Sequence, residues 1–84
     1  MANSNHIGLD GIPRNKAEED KISLNILHVF NKPTGKEVLK YLRSVTIEMV
    51  GGPDITDSAL RHLEGQRHII GLIERHIQRG HRLK

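Results

Sequence analysis

Two breaks in a helical apolar pattern constrain the fold of this chain more than any other feature. The dipeptide at 32–33 and the tripeptide at 51–53 each end in a proline, which disfavours helical geometry in the residue before it. Between and beyond these breaks, apolar residues recur three or four positions apart, as they do on one face of a helix. The face after the first break consists of Val38, Leu42, Val45 and Met49. We therefore predict an all-α fold of three short helices, at about 16–31, 35–50 and 56–79, without a strand.

The length of the chain, 84 residues, allows one domain. A chain of this size buries only about 60% of the surface that its unfolded form exposes, so a lone monomer is marginally stable. With no Cys or Trp, one Phe and one Tyr, the core must be aliphatic and neither disulfides nor cysteine-based zinc sites can contribute. We predict a single helical domain over residues 16–84 that gains stability by assembling with other molecules.

Residues 1–15 are predicted to form an irregular N-terminal arm, since they contain two glycines and a proline and lack a helical period. Their composition favours a disordered tail. The alternative is an arm that docks on a neighbouring subunit through its three apolar residues, Ile7, Leu9 and Ile12. No apolar run in the chain approaches the roughly 20 residues of a membrane span, so we expect no membrane anchor.

Turn and cap chemistry predicts where the helices begin and end. Pro33 stops the first helix, and Thr34-Gly35-Lys36-Glu37 has the spacing of a capping box. In that motif the Thr34 side chain accepts from the amide of Glu37 while Glu37 bonds back. At the end of the third helix, Gly80 is placed as a C-cap glycine.

Two further glycines, Gly65 and Gly71, lie inside the third predicted helix. Each costs about 1 kcal/mol of helix stability relative to alanine. They are either tolerated sequence variation or positions where another backbone approaches closely. We favour close packing, because two such costs are hard for a small domain to tolerate.

The positive charge of the chain is concentrated in its last 24 residues, which hold six Lys/Arg against two Asp/Glu. On a helical wheel the cations lie opposite the apolar side. This predicted basic stripe consists of Arg61, His68, Arg75, Arg79, Arg82 and Lys84. It is either a solvated face or a surface that contacts phosphates or an acidic protein wall. We expect no base-specific contacts, since the start of the helix lacks suitable readout side chains.

Catalytic and metal sites are not predicted. The histidines of the third helix, His62, His68 and His76, are six and eight residues apart, whereas two zinc ligands on one helix need a spacing of three or four. None of the serines lies in a nucleophile motif, and there is no glycine-rich phosphate loop. We therefore expect no catalytic residue, no metal ligand and no cofactor.

Two segments resemble a known family. Residues 30–42, FNKPTGKEVLKYL, resemble the F-x-x-P-x-G-x-x-V-L-x-x-L opening of very small proteins that tailed bacteriophages, especially short-tailed ones, encode among their virion-morphogenesis genes. Residues 64–73, EGQRHIIGLI, resemble the E-G-x-R stretch of the same proteins, with Glu64 and Arg67 as the motif pair. The resemblance extends over residues 30–77. Because that family has no well-established biochemical activity, it implies a place in the virion rather than a mechanism.

The charge, the size and the resemblance together predict a non-enzymatic structural component of a tailed-phage virion, made in the host cytoplasm. The expected partners are further copies in a symmetric homo-oligomer, other virion proteins of the portal, adaptor, tail or internal core, and DNA contacted without sequence preference. In this role the protein plugs, lines or bridges the DNA channel and takes part in DNA ejection at the head–tail connector. The alternative is a small basic helical protein that binds nucleic acid or regulates the host.

Overall fold

Three helices and a short hairpin make up the fold in a computed structural model, which describes residues 5–49 and 51–84. The helices are α1 (Lys16–Phe30), α2 (Pro33–Ser44) and α3 (Asp57–Leu83). They follow two antiparallel strands, β1 (Asn5–Ile7) and β2 (Pro13–Asn15). The predicted all-α class is confirmed, while the ends of the second and third helices and the structure of the arm differ from expectation.

Helix α1 has the start and stop signals that its sequence indicates. The side chain of Asn15 accepts a hydrogen bond from the amide of Glu18 at 2.8 Å, and the first turn is acidic, as the helix dipole favours. At the other end, the amide of Asn31 donates to Leu27, and Pro33 prevents continuation. The predicted helix at 16–31 is therefore one residue longer than the observed one.

The predicted capping box at the start of α2 is wrong. Lys32 is the N-cap residue, it makes no side-chain cap bond, and Pro33 occupies the first helical position. Proline suits that position because its φ is already helical and it has no amide that needs a partner. Consequently Thr34 and Glu37 lie inside the helix instead of capping it.

Helix α2 ends at Ser44, six residues before the predicted end. The hydroxyls of Ser44 and Thr46 donate to the carbonyls of Tyr41 and Leu42, both at 2.6 Å. Such local bonds offer the backbone an alternative to the helical ladder, and the chain turns over residues 45–48. The apolar period that suggested a longer helix thus continues through a segment that is not helical.

Helix α3 begins after Thr56, whose side chain accepts a hydrogen bond from the amide of Ala59 at 3.1 Å. It continues through Gly80 to Leu83, so the prediction of a C-cap glycine is wrong. A Cβ atom at Gly80 would lie 2.9 Å from the carbonyl oxygen of Ser23 and 3.0 Å from Cβ of Leu27. Glycine is needed here because α1 crosses directly over α3.

The N-terminal hairpin, residues 5–15, replaces most of the predicted irregular arm. Its register places His6 opposite Arg14, and the amide of Gly8 donates to Ile12 at 2.9 Å. Gly11 has a φ of +84°, a conformation that glycine adopts without steric cost. Strands of three residues are too short for an alternating pattern to be recognised in the sequence.

The molecule is an open plate rather than a sphere. Its radius of gyration is 15.6 Å and its extents are 53 × 34 × 13 Å, whereas a compact chain of this length has a radius of gyration of about 12 Å. Among the described large hydrophobic residues, the buried ones are Leu27, Leu63 and Ile70. The core is therefore thin and lies where α3 packs against the rest of the chain.

Candidate functional site: a buried polar cluster and two open surfaces

A polar cluster of Glu19, Ser23, His76 and Arg79 joins α1 to α3. Two side chains one turn apart on α1 face two that are three residues apart on α3. The Ser23 hydroxyl lies 2.8 Å from Nδ1 of His76 and accepts from Nη1 of Arg79 at 3.0 Å. A carboxylate oxygen of Glu19 lies 4.0 Å from Nε2 of His76. Ser23 is 0% exposed and His76 2%, so the cluster is enclosed.

Serine, histidine and a carboxylate are also the residue types of hydrolytic triads, but the geometry here does not suit attack on a substrate. Ser23 has no exposed surface, and its oxygen already accepts a hydrogen bond from Arg79. The cluster instead satisfies the buried polar groups of two helices that cross closely. Sequence reasoning missed it because Ser23 and His76 are 53 residues apart, and no local spacing indicates the pair.

The environment of His76 favours its neutral form. Burial lowers the pKa of His76, the negative charge of Glu19 opposes that shift, and the positive charge of Arg79 adds to it. Desolvation penalises the imidazolium because the ring has lost its water. Between a neutral ring and the Ser23 hydroxyl, one proton forms a hydrogen bond, and the distance of 2.8 Å between Nδ1 and the hydroxyl oxygen fits such a bond.

Glu19 also fastens the N-terminal hairpin to α1. Its second carboxylate oxygen accepts from Nη1 of Arg14 at 2.9 Å, and the first accepts from the amide of Leu9 at 2.9 Å. Arg14 bonds Asp10 as well, which lowers the pKa of Asp10 to about 2, and the same bond raises the pKa of Arg14. The hairpin is thus held by charged hydrogen bonds that converge on one buried carboxylate.

The hairpin presents apolar side chains to solvent. Of the residues predicted for arm docking, Ile7 is 71% exposed and Ile12 54%, whereas Leu9 is half-buried. Docking of this arm on a neighbouring subunit stays a prediction.

The basic stripe is open along most of α3. Its exposed members are Arg61, His68, Arg75, Arg82 and Lys84. Arg79 does not belong to it, because its Nη2 donates to Asp20 at 2.6 Å and its side chain is 18% exposed. Lys16 and then Arg79 lower the pKa of Asp20 by hydrogen bonding. Arg79 therefore serves the contact between α1 and α3, and the remaining cations face outward.

The two residues of the E-G-x-R motif, Glu64 and Arg67, have different surroundings. Glu64 is exposed, while Arg67 donates from Nε to the carbonyl of Thr46 at 3.2 Å and from Nη2 to that of Met49. Arg67 thereby ties the turn after α2 to α3. A second tie comes from Arg43 of α2, whose bond to Glu74 raises the pKa of Arg43.

No other element of the described chain packs against the glycines predicted for close packing. A Cβ atom at Gly65 or Gly71 would meet nothing within 4 Å. Close approach occurs instead at Gly80 and at Gly35, where an added Cβ would overlap the carbonyl oxygen of Val29. Approach of another chain to Gly65 and Gly71 stays a prediction.

An apolar surface lies on α2 and beside it. The docking stripe, as we name it, consists of Val38, Tyr41 and Val45, which are 47%, 64% and 36% exposed. Next to it is a groove of about 420 Å³ between the end of α1 and the start of α2. No described residue of α2 is buried, so the apolar face of this helix does not form part of the core.

These features define a small helical protein whose polar cluster is enclosed and whose apolar surface is open. Residues 26–83 match the family described as Bbp19-like phage protein. Since this is well over half of the chain, the protein belongs to that phage protein family, and the resemblance to a phage family is confirmed at this level. The match includes the end of α1, α2 and all of α3 but not the hairpin. No curated protein and no solved structure matches the chain.

Within residues 5–49 and 51–84, no helix combines the length and the apolar character that crossing a membrane requires. In the same part of the chain, no three acidic or histidine side chains come together as a group that could hold a metal ion.

Proposed function

We propose that this protein is a non-enzymatic structural component of a tailed-phage particle, and that it works as an oligomer built into the portal, tail or internal core. There it plugs, lines or bridges the channel through which DNA passes. Membership of a phage protein family supports the setting. The open surface of the chain supports the assembly role.

The observation that carries the proposal is the imbalance between buried and exposed apolar side chains. Three large hydrophobic residues are buried in the described chain, whereas eleven are exposed. Monomeric proteins rarely expose large contiguous apolar patches, and such patches mark interaction sites. The docking stripe and the groove form one such patch, and the exposed isoleucines of the hairpin form another. A chain with this surface is suited to packing against other molecules.

The outward cations of α3 favour a polyanionic or acidic surface on one side of the assembly. Arg75, Arg82 and Lys84 are exposed near the C-terminal end of the helix. Cations in this arrangement neutralise phosphates without reading bases, which gives weak and salt-dependent contact. A position beside the DNA channel would use both the apolar patches and this stripe.

Mass spectrometry of purified particles, before and after DNA release, tests the proposal. We expect the protein in intact particles at a constant copy number set by the symmetry of the portal or tail. Its presence after release distinguishes a fixed channel component from one that leaves with the genome. Absence from intact particles would overturn the proposal.

The exposed basic stripe also favours a second candidate, a free nucleic-acid-binding protein. For that role, changing Arg75 and Arg82 to Gln should make the slope of log affinity against log salt shallower by about 2, uniformly across DNA sequences. The same changes at Lys36 and Lys40 are the matched control, because they remove two exposed charges from α2. If naked DNA binds negligibly and particle incorporation falls in the α3 variant alone, the stripe contacts protein.

A further inference from the structure

We propose that a second copy of this chain docks on the groove between α1 and α2, and that Tyr41 of each copy inserts into the groove of the other. The inference rests on the proposed assembly role and identifies a second copy of the chain as one partner in that assembly. The docking stripe and the groove are the two halves of this contact.

Tyr41 has the character of an interface anchor. It is the one tyrosine of the chain and is 64% exposed, more than any other large apolar side chain on the helices. Val38 lies one turn before it on α2, and Val45 directly follows the end of the helix. Tyrosine is one of the residue types that dominate the energetics of interfaces, where it fills a pocket on the partner.

The groove offers a matching cavity. Its volume is about 420 Å³, and Val29, Phe30 and Val38 form its apolar lining. Val29 is 55% exposed, so the cavity is open to a partner. The lining also includes His28, Lys32 and Thr34, which can bond a phenol hydroxyl. A buried tyrosine hydroxyl usually finds such a partner.

The relative position of anchor and groove makes the surface self-complementary. Tyr41 follows the groove residue Val38 by one helical turn, a rise of about 5 Å. A two-fold axis that passes between them places each tyrosine over the groove of the other copy. This is the isologous arrangement of most homodimers, in which one patch binds its own copy.

The exposed area of the chain is consistent with a contact of this kind. The protein exposes 6199 Å², whereas a compact monomer of its mass exposes about 5,000 Å². The surplus, of the order of 1,000 Å², is similar to the roughly 800 Å² that one partner buries in a stable complex. A second copy on the groove would cover the exposed stripe on both chains at once.

Photo-cross-linking identifies the occupant directly. Tyr41 is replaced by a photoreactive phenylalanine derivative, and this variant is mixed with isotopically labelled wild-type protein before illumination. We expect a cross-link from position 41 of the variant to residues 28–38 of the labelled copy. A cross-link confined to one chain, or to residues outside the groove, would overturn the proposal.

Sedimentation or light scattering across a concentration series measures the contact itself. Tyr41→Ala should weaken self-association about tenfold or more, the scale of an interface hot spot, whereas Tyr41→Phe should largely keep it. Ile69→Ala is the matched control, because Ile69 is 54% exposed on α3 and outside the groove. Circular dichroism verifies that each variant is folded.

A wild-type protein that stays monomeric from micromolar to millimolar concentration would overturn the second-copy docking, as would equal weakening by the Tyr41 and Ile69 changes. If a monomeric protein nevertheless enters phage particles, the docking inference fails and the proposed structural role stands. In infected cells, a cross-link from position 41 only to a different phage protein would also overturn the docking inference and leave the proposed structural role standing.

Discussion

Helix α3 is held to α1 and to α2 by different kinds of contact. Where α1 crosses α3, a glycine lets the backbones touch, and a buried cluster pairs polar side chains of the two helices. Among the described residues, no buried side-chain nitrogen or oxygen lacks a hydrogen-bond partner. Where α2 meets α3, two arginines span the gap, Arg43 to Glu74 and Arg67 to the carbonyls of Thr46 and Met49. Part-exposed ion pairs contribute little to stability, so the first contact dominates the stability of the fold and the second leaves apolar surface available.

The contact that stabilises this fold and the surface that is accessible to partners therefore lie in different parts of the molecule. The crossing of α1 and α3 has almost no exposed surface on which a partner could act. Helix α2 has the surface but little packing of its own, so its position should depend on what covers it. The following substitutions test this separation, beginning with the one for which we expect the largest effect.

Gly80→Leu should cost more than about 3 kcal/mol of unfolding free energy, because a side chain there must displace the backbone of α1. Gly71→Leu, on the same helix, adds a side chain into open space and improves helix propensity. We expect no loss of stability in the Gly71 variant and reduced assembly if another chain approaches that position. Chemical denaturation followed by circular dichroism measures both. Equal destabilisation by the two changes would contradict the comparison.

Ser23→Ala should cost about 1–3 kcal/mol, the range for leaving buried donors and acceptors without a partner. The groups left unpaired are Nδ1 of His76 and one amino group of Arg79. Ser44→Ala removes an exposed hydroxyl bond at the end of α2 and should cost less than about 1 kcal/mol. Urea titrations of both variants, compared with wild type, measure the difference. A larger loss of stability for Ser44→Ala than for Ser23→Ala would show that the contact between α1 and α3 does not dominate the stability of the fold.

Acidification should weaken the fold through His76. The unfolded histidine takes up a proton near its ordinary pKa of 6.5, whereas burial keeps the folded one neutral to lower pH. Stability from this group is therefore complete above pH 6.5 and declines as the pH falls below it, by at most about 1.4 kcal/mol per pH unit. The decline stops once the pH is below the lowered folded pKa.

His76→Gln provides the comparison for this pH effect, since it removes the titration and keeps all the other histidines of the chain. We expect the variant to be less stable at neutral pH and to lose less stability than wild type between pH 6.5 and about pH 5. Asp10 and Asp20, whose pKa values are lowered from 3.8, add a separate loss below that value. Parallel curves for the two proteins above pH 5 would show that His76 does not titrate as expected.

Asp10→Asn should have the smallest and most local effect. It weakens the bond between Asp10 and Arg14, which lies within the N-terminal hairpin, so the hairpin itself loosens while the cluster behind it stays intact. Hydrogen exchange should show faster exchange of the amides of Gly8 and Gly11, which are bonded within the hairpin, with α1 and α3 unchanged. Asp54→Asn, an exposed change remote in sequence, is the control. Loss of protection throughout α3 would mean that the hairpin is not a separate unit.

Much of the helical architecture could be predicted from the sequence because its signals are local. Asn15 with the acidic residues after it marks the start of α1, Pro33 marks the break, and Thr56 marks the start of α3. The end of α2 could not be predicted from the apolar period alone. Hydroxyl groups at Ser44 and Thr46 compete there with the helical bonds, and that competition changes no hydrophobic pattern.

The features that distinguish the α1–α3 contact from the α2–α3 contact depend on tertiary structure, so the sequence alone does not predict them. An apolar face has the same spacing whether a helix buries it or exposes it, so the spacing of Val38 and Val45 does not show which of the two occurs. A lone histidine at His76 and an arginine at Arg79 have no local partner, and each finds one more than 50 residues away. Gly80 resembles a helix-ending glycine until the helix that crosses it is known.

The thickness of the molecule has a mechanical consequence. A plate 13 Å thick is little deeper than one helix with its side chains, about 10–12 Å across. The bending stiffness of a plate falls with the cube of its thickness, whereas its resistance to stretching in the plane falls only in proportion to the thickness. Helix α3, about 40 Å long, resists stretching and compression along its axis, while the narrow dimension offers little resistance to curvature. Such a shape can follow a curved wall without unfolding.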